Sequence, residues 1–266
     1  MGRTHHSTVT NPSLDTGEPA GMNAPGPGVV LSMRIEIWSD VVCPWCYIGK
    51  RRLESALADF PHRDQVEIVW RSYQLDPGAP TVPTETAREM LGRKYGMSPA
   101  QAAEAQNRVI YQAAEEGMAW KHEDSMHLNT RDAHRLIHLA AEEGKQGEAK
   151  EALLHAYFGE AAVVSDHDVL RRLAGEIGLD PARVDAVLGS DEFDADVEAD
   201  IAQAAAYGAT GVPFFVVDQR YGVSGAQPAE LFGQLLERAW SESHPVLETV
   251  PSAEGADACG PDGCAI

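Results

Sequence analysis

The chain has 266 residues, 44% hydrophobic, 23% charged and 7% aromatic, with 41 acidic against 21 basic side chains. That is the composition of an ordinary globular protein long enough to bury a sizeable core, and no run approaches the ~18–20 apolar residues of a membrane helix. A net charge of -20 sets aside nucleic acid as a general partner, because phosphates are met by clustered cations, and four cysteines are too few for a disulfide-built scaffold.

Residues 1–32 are broken by Pro12, Pro19, Pro25, Pro27 and several glycines and show no periodicity, so they read as a disordered leader. They lack the apolar stretch of a secretory signal, which implies a cytoplasmic protein. The patterned region spans 33–240. Arg34–Trp38 alternates as a strand does, and a helix follows Cys43 with Cys46, Gly49, Leu53, Ala56, Leu57 and Phe60 on one stripe. Val66–Trp70 is a second strand, and a strand, helix and strand of this length imply a parallel pair. From about 76 to 207 the pattern is almost wholly helical. Ser98-Pro99-Ala100-Gln101 is a capping box, Asn129 and Ser165 read as further caps, and Pro181 opens another helix. Pro213–Val217 and Tyr221–Ser224 form a hairpin pattern around a turn at 218–220. A last helix from about Pro228 buries Leu231, Phe232, Leu235 and Leu236. Residues 241–266 form an acidic, linker-like tail. The order is βαβ, helices, ββα: one α/β domain with a large all-helical insertion at about 76–207.

The chemistry is concentrated in the cysteines. Cys43-Pro44-Trp45-Cys46 sits at a helix start, where Pro44 suits the first helical position and free N–H groups favour a thiolate at Cys43. The stripe puts Cys46 on the buried face, so Cys43 is expected to be the exposed nucleophile and Cys46 the shielded resolving thiol. Zinc shared with Cys259 and Cys264 fits poorly, since about 200 residues separate the pairs where zinc modules use ~12–20. His134 and His138 stand four apart but lack a third ligand, so no metal is expected.

Three blocks carry a resemblance: Ser39–Gly49 around the first pair, Asn129-Thr130-Arg131-Asp132-Ala133-His134-Arg135-Leu136, and Gly211-Val212-Pro213-Phe214. Together with the ending Ala258–Cys264, they make the chain similar to the DsbA-like branch of the thioredoxin superfamily, and to its FrnE-type members. The resemblance implies a thioredoxin-like core and a thiol–disulfide oxidoreductase in which Cys43 attacks and Cys46 resolves. Pro44, Trp45 and Asp40 would support them, Pro213 would be cis beside Cys43, and Val212 would offer its backbone to an extended substrate. Asn129, His134 and Arg135 would shape a substrate groove in the insertion. Thioredoxin relatives carry a buried carboxylate six residues before the first cysteine; here that place is Ile37, which leaves the general base open. Expected partners are disulfide-containing proteins or small thiols and no membrane. No tightly bound cofactor is expected, with glutathione or a thioredoxin-type reductant as co-substrate. Oxidant, reductant and isomerase directions stay open, as does the oligomeric state.

Cys259 and Cys264 flank Gly260-Pro261-Asp262-Gly263, a turn sequence that can bring two thiols together. A flexible tail from Trp240 to Cys259 spans ~25 Å, enough to suggest an internal relay to the first pair. Two alternatives remain. One is a glutathione-dependent isomerase resembling 2-hydroxychromene-2-carboxylate isomerase, whose family has serine at the place of Cys43. The other is a holdase that binds unfolded chains. The acidic run Asp191–Asp200 reads as a solvated helix face.

Overall fold

The computed structural model describes residue 1 and residues 32–245. The rest of the leader, and Cys259 and Cys264 of the tail, lie outside the described residues.

Strand β1 (Met33–Ser39) leads into helix α1 (Pro44–Asp59) and strand β2 (Val66–Ser72). Seven helices follow: α2 (Ala87–Tyr95), α3 (Pro99–Glu115), α4 (Arg131–Glu142), α5 (Gln146–Gly159), α6 (His167–Glu176), α7 (Pro181–Leu188) and α8 (Asp194–Ala206). The chain returns through β3 (Phe214–Val217) and β4 (Tyr221–Ser224) to α9 (Ala229–Ser243). The sheet order is β2-β1-β3-β4, with β1 parallel to β2 and antiparallel to β3, and β3 antiparallel to β4. This is a thioredoxin-like core whose β2-to-β3 connection is expanded into helices.

Strand β1 is buried on both faces, although its sequence alternates. Ile35 and Ile37 join Phe215, Val217 and Phe232 on one side, while Trp38 packs with Val216, Phe214 and Ala204 on the other. The polar member of the stripe, Glu36, is 2% exposed because Arg71 reaches it from β2 with Nη2 at 2.6 Å. Arg71 Nη1 also reaches Asp200 Oδ1 of α8 at 3.1 Å. Asp200 Oδ2 accepts the Ser72 backbone N–H at 2.8 Å, and the Asp200 carbonyl accepts Trp38 Nε1 at 2.7 Å. The acidic run was therefore misjudged at its end: Asp200 is 3% exposed and fastens α8 to the sheet.

The insertion shares one apolar core with the sheet. On α4, Ala133, Leu136, Ile137, Leu139 and Ala140 are buried, and they belong to the same cluster as Ile35, Leu154 and Leu170. The outer edge of β2 is closed by Gln146, whose side-chain amide exchanges two 2.9 Å hydrogen bonds with the Trp70 backbone, as a neighbouring strand would.

Helix ends follow local chemistry. Capping boxes start α2 at Thr86 and α3 at Ser98. Two caps shift by one residue. Asp166, not Ser165, caps α6, while Ser165 Oγ donates to the Thr81 carbonyl at 2.7 Å. Thr130 occupies the cap position of α4, and Asn129 Oδ1 accepts the Arg131 N–H at 2.8 Å from one residue earlier. In α9, Phe232 and Leu236 are buried but Leu231 is 39% exposed, and the helix continues to Ser243, past the expected start of the tail.

Candidate active site

The site forms where β1 ends and α1 begins. Cys43 N–H closes a turn onto the Asp40 carbonyl at 3.2 Å, Cys43 is the N-cap residue and Pro44 opens α1. A proline here removes an N–H that the helix would leave unpaired. Cys46 follows one turn later, its N–H on the Cys43 carbonyl at 3.0 Å. Both cysteines are free thiols.

The loop before β3 covers this turn. The Val212–Pro213 peptide is cis, and Cys43 Sγ donates to the Val212 carbonyl at 3.6 Å. Gly49 permits the close approach: a Cβ there would lie 3.1 Å from Pro213 Cγ and 3.2 Å from Phe215 Cζ. Residues 169 positions apart are thus packed together by a missing methyl group and a proline.

Burial departs from expectation. Cys46 is 1% exposed, but Cys43 is only 4% exposed, because the Val212–Pro213 loop lies over it; Trp45, between them, is 40% exposed. The thiol electrostatics also depart. The neighbouring Cys46 sulfur, a second acceptor competing with the Val212 carbonyl for the one Cys43 proton, raises the Cys43 thiol well above its ordinary range; burial and the Asp40 charge add to this. Burial works against ionisation of Cys46 too. It is outweighed by the bond from Cys43, by the Lys150 ammonium and by Ser39 and the Asp40 backbone, so Cys46 falls below the usual thiol range. The two thiols therefore behave as one acid that gives up a first proton readily and holds the second.

Three buried groups surround the pair. Asp40, 1% exposed, accepts the Leu75 N–H on Oδ2 at 2.8 Å and faces His134 Nε2 with Oδ1 at 3.3 Å. Burial would raise the Asp40 carboxyl, but His134, the Leu75 N–H and Lys150 hold it below its usual range. Burial lowers His134 despite Asp40, so the imidazole is neutral and donates to the carboxylate. Lys150 of α5 is wholly buried; its Nζ donates to the Ser39 carbonyl at 3.2 Å and lies 5.5 Å from the Trp70 ring centre. Burial brings its ammonium down to about 8, against the pull of Cys46, Asp40 and Cys43. The Ser39 hydroxyl is buried without a hydrogen bond of ordinary geometry.

The other residues singled out in the sequence scatter. A cavity of about 180 Å³ opens beside Pro44, walled by Val42, Leu75, Leu128, Thr130 and Tyr157. Asn129, His134 and Arg135 are not among its lining residues. Asn129 holds the Pro77 and Ala79 carbonyls, and Arg135 is consumed by Asp132 and the carbonyls of Val187, Ser190 and Glu192. These two shape the insertion from behind; they do not form a groove. His138 does not pair with His134 but meets Ser72 Oγ at 3.1 Å and Asp200 at 3.2 Å. Lys150 was missed, although its spacing to Leu153, Leu154 and Tyr157 places it on the buried stripe of α5.

Residues 34–237 match the model of the DsbA-like thioredoxin domain. The chain belongs to that family. The structure is similar to a probable DsbA oxidoreductase from Streptomyces coelicolor, at 49% identity and a TM-score of 0.76, covering 88% of this chain and 99% of that one. It is similar in fold to the cytosolic disulfide reductase DsbM of Pseudomonas aeruginosa, at 16% identity and a TM-score of 0.56, over 78% of this chain and 98% of that one. The uncharacterised protein YwbO of Bacillus subtilis is 27% identical over 205 residues, 76% of this chain and 94% of that protein.

Proposed function

We propose that the protein is a thiol–disulfide oxidoreductase of the FrnE type in which Cys43 attacks and Cys46 resolves. The observation that carries this reading is the paired thiols at the start of α1, with the Cys43 sulfur against the Val212 carbonyl at 3.6 Å. The first proton lost by the pair leaves one thiolate, and passing the remaining proton to Cys46 puts that charge on Cys43 at the moment of attack. The Cys43 thiolate then displaces one sulfur of a substrate disulfide, forming a mixed disulfide and releasing a thiolate that takes a proton from solvent. Cys46 gives up its proton and attacks the Cys43 sulfur, forming the Cys43–Cys46 disulfide and releasing the second thiol. Two electrons leave the dithiol, and glutathione or a thioredoxin-type reductant in the cytoplasm returns them. Run in reverse, the same steps oxidise a client; isomerisation would need a client thiolate, in place of Cys46, to displace Cys43 from the mixed disulfide.

The exposed Trp45 ring and the cavity beside Pro44 flank the approach, and the Val212 backbone is the contact we assign to an extended substrate. The Cys259–Cys264 pair fits the same scheme as a relay between Cys43–Cys46 and the external reductant. Insulin reduction tests the scheme: the Cys43→Ser protein is expected to fall to background, and the Cys259→Ser, Cys264→Ser double variant to turn over more slowly. Full turnover by Cys43→Ser would overturn the mechanism; unchanged turnover by the double variant would remove the relay.

A further inference from the structure

Both chain neighbours of Cys43 stand in the wall of one cavity. Val42 and Pro44 line the space of about 180 Å³ beside the cysteine turn, whereas Val212 and Pro213 do not, so it is separate from the backbone contact at Val212. Its size limits the occupant. An apolar space of about 150 Å³ takes up one benzene-sized ring, and sites for drug-sized molecules begin at about 300 Å³. Met90, Leu91, Leu128 and Tyr157 make the wall apolar, and the exposed Leu75 and Tyr95 carry it out to the surface.

One polar atom of this wall is left over. Ser125 Oγ spends its proton on the Tyr157 carbonyl at 3.1 Å, so it accepts from His122 Nδ1 at 3.3 Å. The His122 proton is thereby fixed on Nδ1, and Nε2 becomes an acceptor. The ring is 5% exposed, and burial keeps it neutral by pushing its pKa down to about 4. Among the described residues Nε2 has no hydrogen-bond partner. The other polar groups of the wall are engaged. Tyr157 Oη donates to the Met126 carbonyl at 2.9 Å, and Thr130 Oγ1 accepts from Gln74 at 3.5 Å. Asp40 takes the Leu75 N–H and faces His134, and Asp76 holds His127 at 3.1 Å. Two carboxylates in the wall oppose an anionic ligand such as glutathione. The one lysine or arginine of the wall, Lys94, is exposed on α2. The occupant that fits is a neutral ring bearing a hydrogen-bond donor.

We propose that this cavity is a subsite for a phenol ring, the side chain of a client tyrosine one or two positions from the cysteine that joins Cys43, with the phenol O–H donating to His122 Nε2. The short reach follows from Val42 and Pro44, which flank Cys43 and line the cavity. The inference rests on the oxidoreductase reading and names a class of client for it. No bond is made or broken in the subsite; it holds the ring while thiol exchange proceeds at Cys43.

The test uses the full chain and peptide disulfides of one sequence with tyrosine, phenylalanine or serine beside the cysteine. For the wild type, kcat/KM is expected to be about tenfold higher with phenylalanine than with serine, from burial of the ring. It should be about fivefold higher again with tyrosine, from the hydrogen bond. In His122→Phe the preference for tyrosine over phenylalanine should disappear while a ring is still preferred over serine. In Leu91→Trp, which fills the cavity, the three peptides should become equal within about twofold. Equal values for the tyrosine and serine peptides in the wild type would overturn the subsite, and a phenylalanine peptide as good as the tyrosine one would overturn the phenol assignment. Neither result depends on a variant that folds. If no peptide is turned over, the oxidoreductase reading has failed, and p-cresol then decides the subsite alone. It is expected to shift the Met90 methyl NMR signal, assigned with Met90→Leu, saturably in the wild type and in Cys43→Ser alike; a signal that does not move would overturn the subsite.

Discussion

Two buried charged clusters lie side by side at the C-terminal end of β1 and β2, where Ser39 pairs with Ser72, and they are built differently. In the first, Arg71 bridges Glu36 and Asp200, and Asp200 also takes the Ser72 N–H and His138. Its opposite charges meet at 2.6 and 3.1 Å. It has no reactive atom and nothing left to bind, so it serves to fix α8 on β1 and β2. In the second, among the described residues Lys150 makes one hydrogen bond, to a carbonyl, the Ser39 hydroxyl has no hydrogen bond of ordinary geometry, and the acid with the unsettled proton is a pair of thiols. A closed cluster spends its charges on structure; an open one keeps a charge available for chemistry.

The sharpest way to break this contrast is in the closed cluster. Arg71→Met leaves two buried carboxylates without their cation, and we expect about 3–5 kcal/mol of stability to be lost in urea unfolding. The thiolate titration of the protein that remains folded should not move. A shift in that titration would mean that the two clusters are coupled and the distinction false.

An acid titration tests the wall of the site. His122, buried against Phe158 and beside the cavity, is pushed down to about 4 by desolvation, with Arg88 adding to it. A histidine whose folded value lies below its unfolded one, ~6.5, stabilises the fold while neutral. That stability is present above about pH 6.5 and is lost as the pH falls toward 4, up to roughly 3 kcal/mol. His122→Gln should flatten the thermal-melting profile across that window.

Within the open cluster, Asp40→Asn keeps an acceptor for the Leu75 N–H but removes a negative charge that holds the Cys43 proton on. The thiolate midpoint should fall, and alkylation of the pair at pH 6 should quicken several-fold. The smallest effect is expected at the edge of β2, where Gln146→Ala removes two backbone clamps for about 1–2 kcal/mol and leaves every redox property unchanged.

Much of this molecule was legible in its sequence, and the limits were physical. The βαβ start, the capping boxes and the hairpin are written in local periodicity and turn residues. The thiol pair was legible because proline and cysteine at a helix start have few other uses. Asp200 was not legible as a buried group, because its helix is acidic and its partners lie more than 100 residues away. Lys150 stands on the buried stripe of α5, but the carbonyl that receives its ammonium is also more than 100 residues away, so the stripe alone did not reveal its place beside the cysteine turn. The Cys43 burial was missed for the same reason: a stripe on α1 reports the face of that helix, not the Val212–Pro213 loop that folds over its end. Arg135 shows the converse. A family block marked it, but its guanidinium is occupied by the insertion's own carbonyls.

The account turns on which sulfur meets the client. Incubating Cys46→Ser and Cys43→Ser proteins separately with glutathione disulfide, followed by intact mass and peptide mapping, tests that most directly. A stable glutathione adduct on Cys43 in Cys46→Ser, with little or none on Cys46 in Cys43→Ser, is the predicted result. An adduct that forms readily on Cys46, and not on Cys43, would contradict it.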